Sequence, residues 1–224
     1  MAFGILPFLP LKTNDMADNY LEKKMEEYRT QKTMSRNSTA TLNQLLVRNR
    51  SHRGYDSRRL VSLEELRRIV NVNTRIPSAR NQQCLRFRLV QADEAPLVYP
   101  HIHLGGALPE LNLPFEGTEP RAFIVVCSTI SEDRWVDIDL GISAQSMLLK
   151  ATEMGLNGIC IGAFDTSALT KILELNYPPL LVIAIGKGIE NICLKEIGEH
   201  ESHAYYRIND THYVPKVKLD DLII

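Results

Sequence analysis

Cysteine is scarce in this 224-residue chain: Cys84, Cys127, Cys160 and Cys193 stand far apart, with no CxxC pair and no Cys/His cluster. That spacing excludes the usual structural zinc site, and no other metal site is expected. The cysteines sit among apolar residues (FIVVC, NGICIG), which predicts reduced, buried thiols of a cytosolic protein. Long hydrophobic runs are also missing, whereas a membrane helix needs roughly 20 apolar residues. The apolar start MAFGILPFLP is broken by Pro7 and Pro10 and lacks the basic stretch of a secretory leader. The expectation is a soluble cytoplasmic protein with no membrane partner. No GxGxxG follows a strand, and GxxxxGK[ST], GxSxG and HExxH are absent. Dinucleotide-fold, P-loop, α/β-hydrolase and zincin chemistry are therefore not indicated. Nothing marks a side-chain nucleophile.

What is present is an ordinary globular composition, 44% hydrophobic and 24% charged, with one local anomaly. Between Arg48 and Arg88 there are eleven arginines, no lysine and three acids (Asp56, Glu64, Glu65), inside a chain of net charge −1. The segment NRSHRGY (49–55) puts two guanidinium groups and a hydroxyl within four residues. Guanidinium is a planar, permanently charged donor fork suited to a phosphate. A second stretch, IPSARNQQ, offers Ser78, Asn81 and Gln83 after a proline, and side-chain amides can both donate to and accept from a heterocycle edge. Taken alone, the arginine block fits a solvated face, an anion site or a nucleic-acid surface.

Two segments are expected. Residues 1–40 read as an extension, with a charge-alternating helix over NYLEKKMEEYRTQK. Residues 41–224 read as one α/β (α+β) domain. There LNQLLVRN predicts a short amphipathic helix, and Ser62 with Glu65 forms a capping box ahead of SLEELRRIVNVN. LRFRLVQA alternates as a strand, while AFIVVCST and LLVIAIGKG read as buried strands. DIDLGISAQSMLLKATEMG predicts a long, central helix, apolar on most sides and ended by Gly155. NGICIGAF reads as a strand and turn, and Asp165 caps DTSALTKILEL. Residues 100–118 read as a long loop and HYVPKVKLDDLII as an extended tail. Helices and strands thus alternate around one sheet.

The ordered set NRSHRGY, IPSARNQQCLRF, DIDLGISAQSMLLKATEMGLNGICIGAFD and VPKVKL resembles the FMN-dependent nitroreductase family over residues 41–224. The resemblance implies a sheet flanked by helices in an intertwined homodimer, with FMN at the subunit interface. It implies that Arg50, Ser51 and Arg53 hold the phosphate and ribityl chain, with Arg53 reaching toward the flavin ring and tuning it. Pro77, Ser78, Ala79, Asn81 and Gln83 would cover the cofactor of the opposite subunit. Cys160, Ile161, Gly162 and Ala163 would lie along the ring face, and Lys216 and Lys218 would add phosphate contacts. The implied reaction is ping-pong: NAD(P)H gives hydride to flavin N5, and a nitroaromatic, quinone or related small acceptor takes the electrons. No catalytic side chain is required, because the cofactor carries the chemistry.

Two positions depart from the family pattern. Asn49 stands where a further arginine is usual, and Cys84-Leu85 replace a Pro-aromatic pair. Loop 100–118 is expected to select the acceptor. Other readings are flavin fragmentation or reductive dehalogenation on the same scaffold, and a binding protein using the Arg48–Arg88 block; nucleic acid is not the expected partner. Leu222, Ile223 and Ile224 end the chain, and each gains roughly 1.5–3 kcal/mol on full burial, so they are expected to dock in a groove of the partner subunit.

Overall fold

Secondary structure follows the hydrophobic periodicity through most of the domain. The computed structural model describes residues 24–25, 40–106, 111 and 113–224. The helix expected over NYLEKKMEEYRTQK falls almost wholly outside them. Residues 42–224 form one compact unit. In chain order its helices and strands are α1 (Leu42–Arg48), α2 (Leu63–Val70), β1 (Leu85–Val90), α3 (Ala95–Val98), β2 (Phe123–Ser128), α4 (Arg134–Glu153), β3 (Asn157–Ile161), α5 (Thr166–Ile172), β4 (Pro179–Gly186), β5 (Asn191–Ile197), β6 (Tyr206–Ile208) and β7 (Thr211–Val217).

Strands β1 to β4 build an antiparallel sheet in the order β1-β2-β4-β3. All six residues of β2 are buried, which is why AFIVVCST reads as a continuous apolar run rather than an alternating one. Ile124, Val126, Ile183 and Ile185 face a core shared with Leu66 and Ile69 of α2 and Met147 and Leu148 of α4. Val125, Val182, Ile159 and Ile161 face the opposite core, closed by Val98 of α3 and Leu169 of α5. The sheet is therefore a middle layer, which fixes β3 and its following turn in place.

Caps set the helix boundaries. Ser62 accepts from Glu65 N–H while the Glu65 carboxylate accepts from Ser62 N–H, a complete capping box. Asp165 caps α5 by accepting from Ala168 N–H. Asp133 caps α4 through Trp135 and Val136 N–H, a cap the sequence reading passed over. Gly155, at φ 76°, ends the same helix in the left-handed region that glycine enters without steric cost.

Two expectations change. A second sheet, β5-β7-β6, stands beside the main one, so the strands do not all join one sheet. The tail is extended as expected, and its strand β7 belongs to this second sheet, paired in parallel with β5 and antiparallel with β6. Cys84 and Cys127 are buried free thiols, but Cys160 and Cys193 are exposed, because β3 and β5 each turn one side outward there. Helix α1 forms where expected, yet buries none of its residues.

Candidate functional site

After α1 the chain runs extended along the open edge of β3. Ser51 bridges Gly158, and His52 N–H donates to Gly158 O at 3.3 Å. In extended backbone successive side chains point to opposite sides. Ser51 and Arg53 accordingly line one cavity of about 300 Å³, together with Asn49, while His52 lines another of about 350 Å³, together with Arg48 at the end of α1. Arg50 borders both. Buried Tyr55 anchors the segment by donating to His52 O at 2.7 Å. Its ring fills the space over Gly186, where a Cβ would stand 2.6 Å from it.

The first cavity gathers residues that are remote in sequence. Its far wall is the β6–β7 hairpin, which supplies Tyr205, His212 and Lys216. Arg53 is buried, at 8% exposure, with its guanidinium 5.1 Å from the centre of the Tyr205 ring. It donates to Ser51 O at 3.3 Å and to the Tyr205 hydroxyl at 3.4 Å. Arg50 donates to Leu46 O at 2.6 Å. The Nε atoms of Arg50 and Arg53 are buried and have no hydrogen-bond partner among the described residues. Burial lowers the pKa of His52 and, with help from Arg53, that of His212, so both imidazoles favour the neutral form. The cations of this cavity are thus Arg50, Arg53 and Lys216. Lys218 does not line it; its ammonium lies 3.6 Å from Asp221.

The Pro77–Gln83 loop lies elsewhere. Pro77, Ser78 and Gln83 line a larger cavity of about 600 Å³ with Asp139 of α4 and Phe87 of β1. Buried Asp139 organises this loop. It accepts from Ser78 Oγ (2.6 Å), from Ala79 N–H (2.7 Å) and from Gln82 Nε2 (3.3 Å). Ser78 Oγ in turn accepts from Gln83 N–H at 3.0 Å, and Gln83 Nε2 donates to Asn81 Oδ1 at 2.9 Å. Within one chain, therefore, Arg50, Ser51, Arg53 and Lys216 come together, and the Pro77–Gln83 residues form a separate group.

Cys160 and Ile161 close β3, and Gly162 and Ala163 form the turn that leads to α5. Ile161 points into the core, whereas Cys160, Gly162 and Ala163 are exposed. A Cβ on Gly162 would meet nothing within 4 Å, so the space over this turn is open. Ala163 O accepts from His103 N–H at 2.9 Å, which ties the turn to the 100–118 loop.

Sequence reasoning passed over Tyr205, His212, Glu190 and Asp139. The hairpin residues carried a signal: Asn209-Asp210 between Tyr206–Ile208 and Thr211–Tyr213 is a two-residue hairpin turn. Glu190 and Asp139 carried none, because their partners are remote in the chain. Among the described residues no cluster of His, Cys, Asp or Glu could hold a metal ion, and no helix is long and apolar enough to cross a membrane.

A helix-flanked antiparallel sheet of this kind occurs among solved structures. Residues 116–187 match the model of the nitroreductase family. A relative from Methanocaldococcus jannaschii, named as a nitroreductase, is 37% identical over 57 residues, a stretch spanning 25% of this chain and 29% of that protein. A Staphylococcus epidermidis structure named as an NAD(P)H:FMN oxidoreductase superposes with TM-score 0.58 at 20% identity, over 82% of this chain and 95% of that one. An Exiguobacterium sibiricum structure named as a nitroreductase in complex with FMN superposes with TM-score 0.55 at 19% identity, over 68% and 91%. The chain thus has the fold of nitroreductase-family structures, and residues 116–187 match that family's model.

Proposed function

We propose that this protein is an FMN-dependent NAD(P)H oxidoreductase that reduces a small organic acceptor, of the nitroaromatic or quinone type, and works as a homodimer. The observation that carries the proposal is the meeting of Arg50, Ser51, Arg53 and Lys216 in one cavity, across more than 160 residues of chain. The donor set fits an anionic cofactor. Two buried guanidinium Nε atoms there lack partners among the described residues, and leaving a buried donor unpaired costs about 1–3 kcal/mol. A phosphate supplies oxygen acceptors for such donors. Asn49 reaches the same cavity, so a neutral amide stands where the family pattern has a further arginine.

In this reading Arg50, Ser51 and Lys216 hold the phosphate end, and the exposed Cys160–Ala163 turn lies beside the ring. When bound, FMN supplies two-electron transfer between a nicotinamide and the acceptor. The protein's own part is to bind, orient and polarise. Arg53 is fixed by Tyr205 and by Ser51 O, so its charge is already in place to favour negative charge beside it. The neutral His52 and His212 add no competing cation.

The homodimer accounts for the apolar surface of one chain. Trp135 and Ile138 of α4 are exposed, and so are Leu42 and Val47 of α1 and the terminal Leu222, Ile223 and Ile224. Among the described residues β1 is an edge strand of the sheet, beside the cavity that Phe87 and Leu89 line. A second copy would cover this surface, and the Pro77–Gln83 loop would reach its partner's cofactor.

Four of the block's other nine arginines have partners of their own, which argues against a single nucleic-acid face. Arg58 pairs with Asp56, Arg59 with Glu65 and Arg88 with Glu94, while Arg80 lies over the Trp135 ring.

The test is the purified protein itself. A flavin spectrum, FMN released on heating, and NAD(P)H oxidation that depends on added quinone or nitroaromatic support the proposal. Colourless protein whose melting temperature is unmoved by added FMN contradicts it.

A further inference from the structure

We propose that Glu190 is the positioning residue of the anion cavity, one buried carboxylate that holds the basic loop and the β6–β7 hairpin at their working separation. The inference rests on the reading of this cavity as the FMN phosphate site. Glu190 lies in the connection between β4 and β5, and its side chain is 6% exposed. A buried carboxylate is costly unless hydrogen bonds and opposite charge surround it. Here both are present, and they come from the two walls of the cavity. One oxygen, Oε2, accepts from two consecutive backbone donors, Arg53 N–H and Gly54 N–H, the latter at 3.2 Å. Consecutive N–H groups aimed at one acceptor form a backbone anion nest. An internal carboxylate in that nest fixes the backbone at Arg53, and with it the direction of the Arg53 side chain.

The other oxygen, Oε1, faces Arg207 Nη2 at 3.7 Å. Arg207 is in β6, two residues after Tyr205, and β6 pairs with the strand that carries His212 and Lys216. Glu190 thus joins the wall carrying Arg53 to the wall carrying Tyr205, His212 and Lys216. His52 Nδ1 lies 4.0 Å away and is held neutral by burial, so it gives the carboxylate little charge compensation. The Arg207 guanidinium lies 5.6 Å from the Phe115 ring centre, which extends the same contact chain to the 113–118 loop.

Gln is nearly isosteric with Glu but has one acceptor oxygen. In Glu190→Gln the amide NH₂ must face either the two backbone donors or the Arg207 guanidinium. One wall is released whichever way the amide turns, while the packing volume stays the same.

The experiment is titration of the apo-protein with FMN, with riboflavin and with inorganic phosphate, for wild type, Glu190→Gln and Glu190→Ala. Melting temperatures of the unliganded chains are measured alongside. Glu190→Gln is expected to narrow the preference for FMN over riboflavin by about tenfold, the loss of one charged hydrogen bond. Glu190→Ala is expected to narrow it further, and Glu65→Gln, whose partners Arg59 and Ser62 lie outside the cavity, to leave it unchanged. A wild-type preference in Glu190→Gln overturns the assignment. Equal weakening of FMN and riboflavin together with a lower melting temperature also overturns it, because that is the mark of general destabilisation. Wild-type protein that binds neither FMN nor phosphate refutes the cavity reading itself, and that outcome is seen before any variant is made.

Discussion

Replacing Asp139 tests how the Pro77–Gln83 loop keeps its shape. Asp139 is 4% exposed and accepts three hydrogen bonds from the loop. The loop needs restraint, since Arg80, Asn81 and Gln83 have φ of 52°, 53° and 45°, each a left-handed conformation that costs a non-glycine residue about 1 kcal/mol or more. Hydrogen bonds to a charged acceptor contribute about 1.5–3 kcal/mol each. In Asp139→Ala the loop can relax and Ser78 can turn to water, so the full sum is not lost. We expect a loss of about 3 kcal/mol, which for a domain of this size is a melting-temperature drop of roughly 6–12 °C. Asp139→Asn keeps an acceptor for Ala79 N–H and should cost about 1 kcal/mol. Thermal unfolding measures the totals, and hydrogen exchange at the Ala79 amide localises them. If Asp139→Ala melts with the wild type, or the Ala79 amide is equally protected in both, the loop is held by something else.

Arg53→Ala should weaken FMN binding by at least tenfold, the scale of one charged hydrogen bond, while Arg59→Ala, whose partner Glu65 is outside the cavity, should bind FMN as wild type does; calorimetric titration separates them. Deleting residues 222–224 removes exposed apolar groups but spares β7 and Lys216, so light scattering should show a weaker dimer while FMN binding to each chain persists. The histidines set the pH response. Burial lowers the folded-state pKa of His52 and His212 below about 6.5, so the stability they contribute is present above that pH and is lost as pH falls below it. The urea midpoint should therefore fall between pH 7.5 and 5.5, and by less in His52→Asn.

Much of the main sheet was legible because its signals are local. A six-residue apolar strand such as Phe123–Ser128, or the Ser62/Glu65 box, declares itself within a few positions. The second sheet was not, because β5 is mostly exposed and carries Lys195 and Glu196, so no hydrophobic pattern marks it. The basic side of the site could be read because Arg50, Ser51 and Arg53 are close in sequence. Lys216 came from the family resemblance alone, and Lys218 lies next to Asp221 rather than in the cavity. Glu190 and Asp139 were hidden for a different reason. A single acid has no periodicity, and its meaning lies in donors 136 and 60 positions away.

The central claim is that Arg50, Ser51, Arg53 and Lys216 form one phosphate-binding cavity. Its most direct test is calorimetric titration of FMN and riboflavin into wild-type apo-protein and into Lys216→Met, since the two ligands differ only in the phosphate. The account predicts that wild type binds FMN much more tightly than riboflavin, and that Lys216→Met loses a large part of that preference while its riboflavin affinity holds. Equal binding of the two ligands by wild type, or an unchanged preference in Lys216→Met, would contradict it.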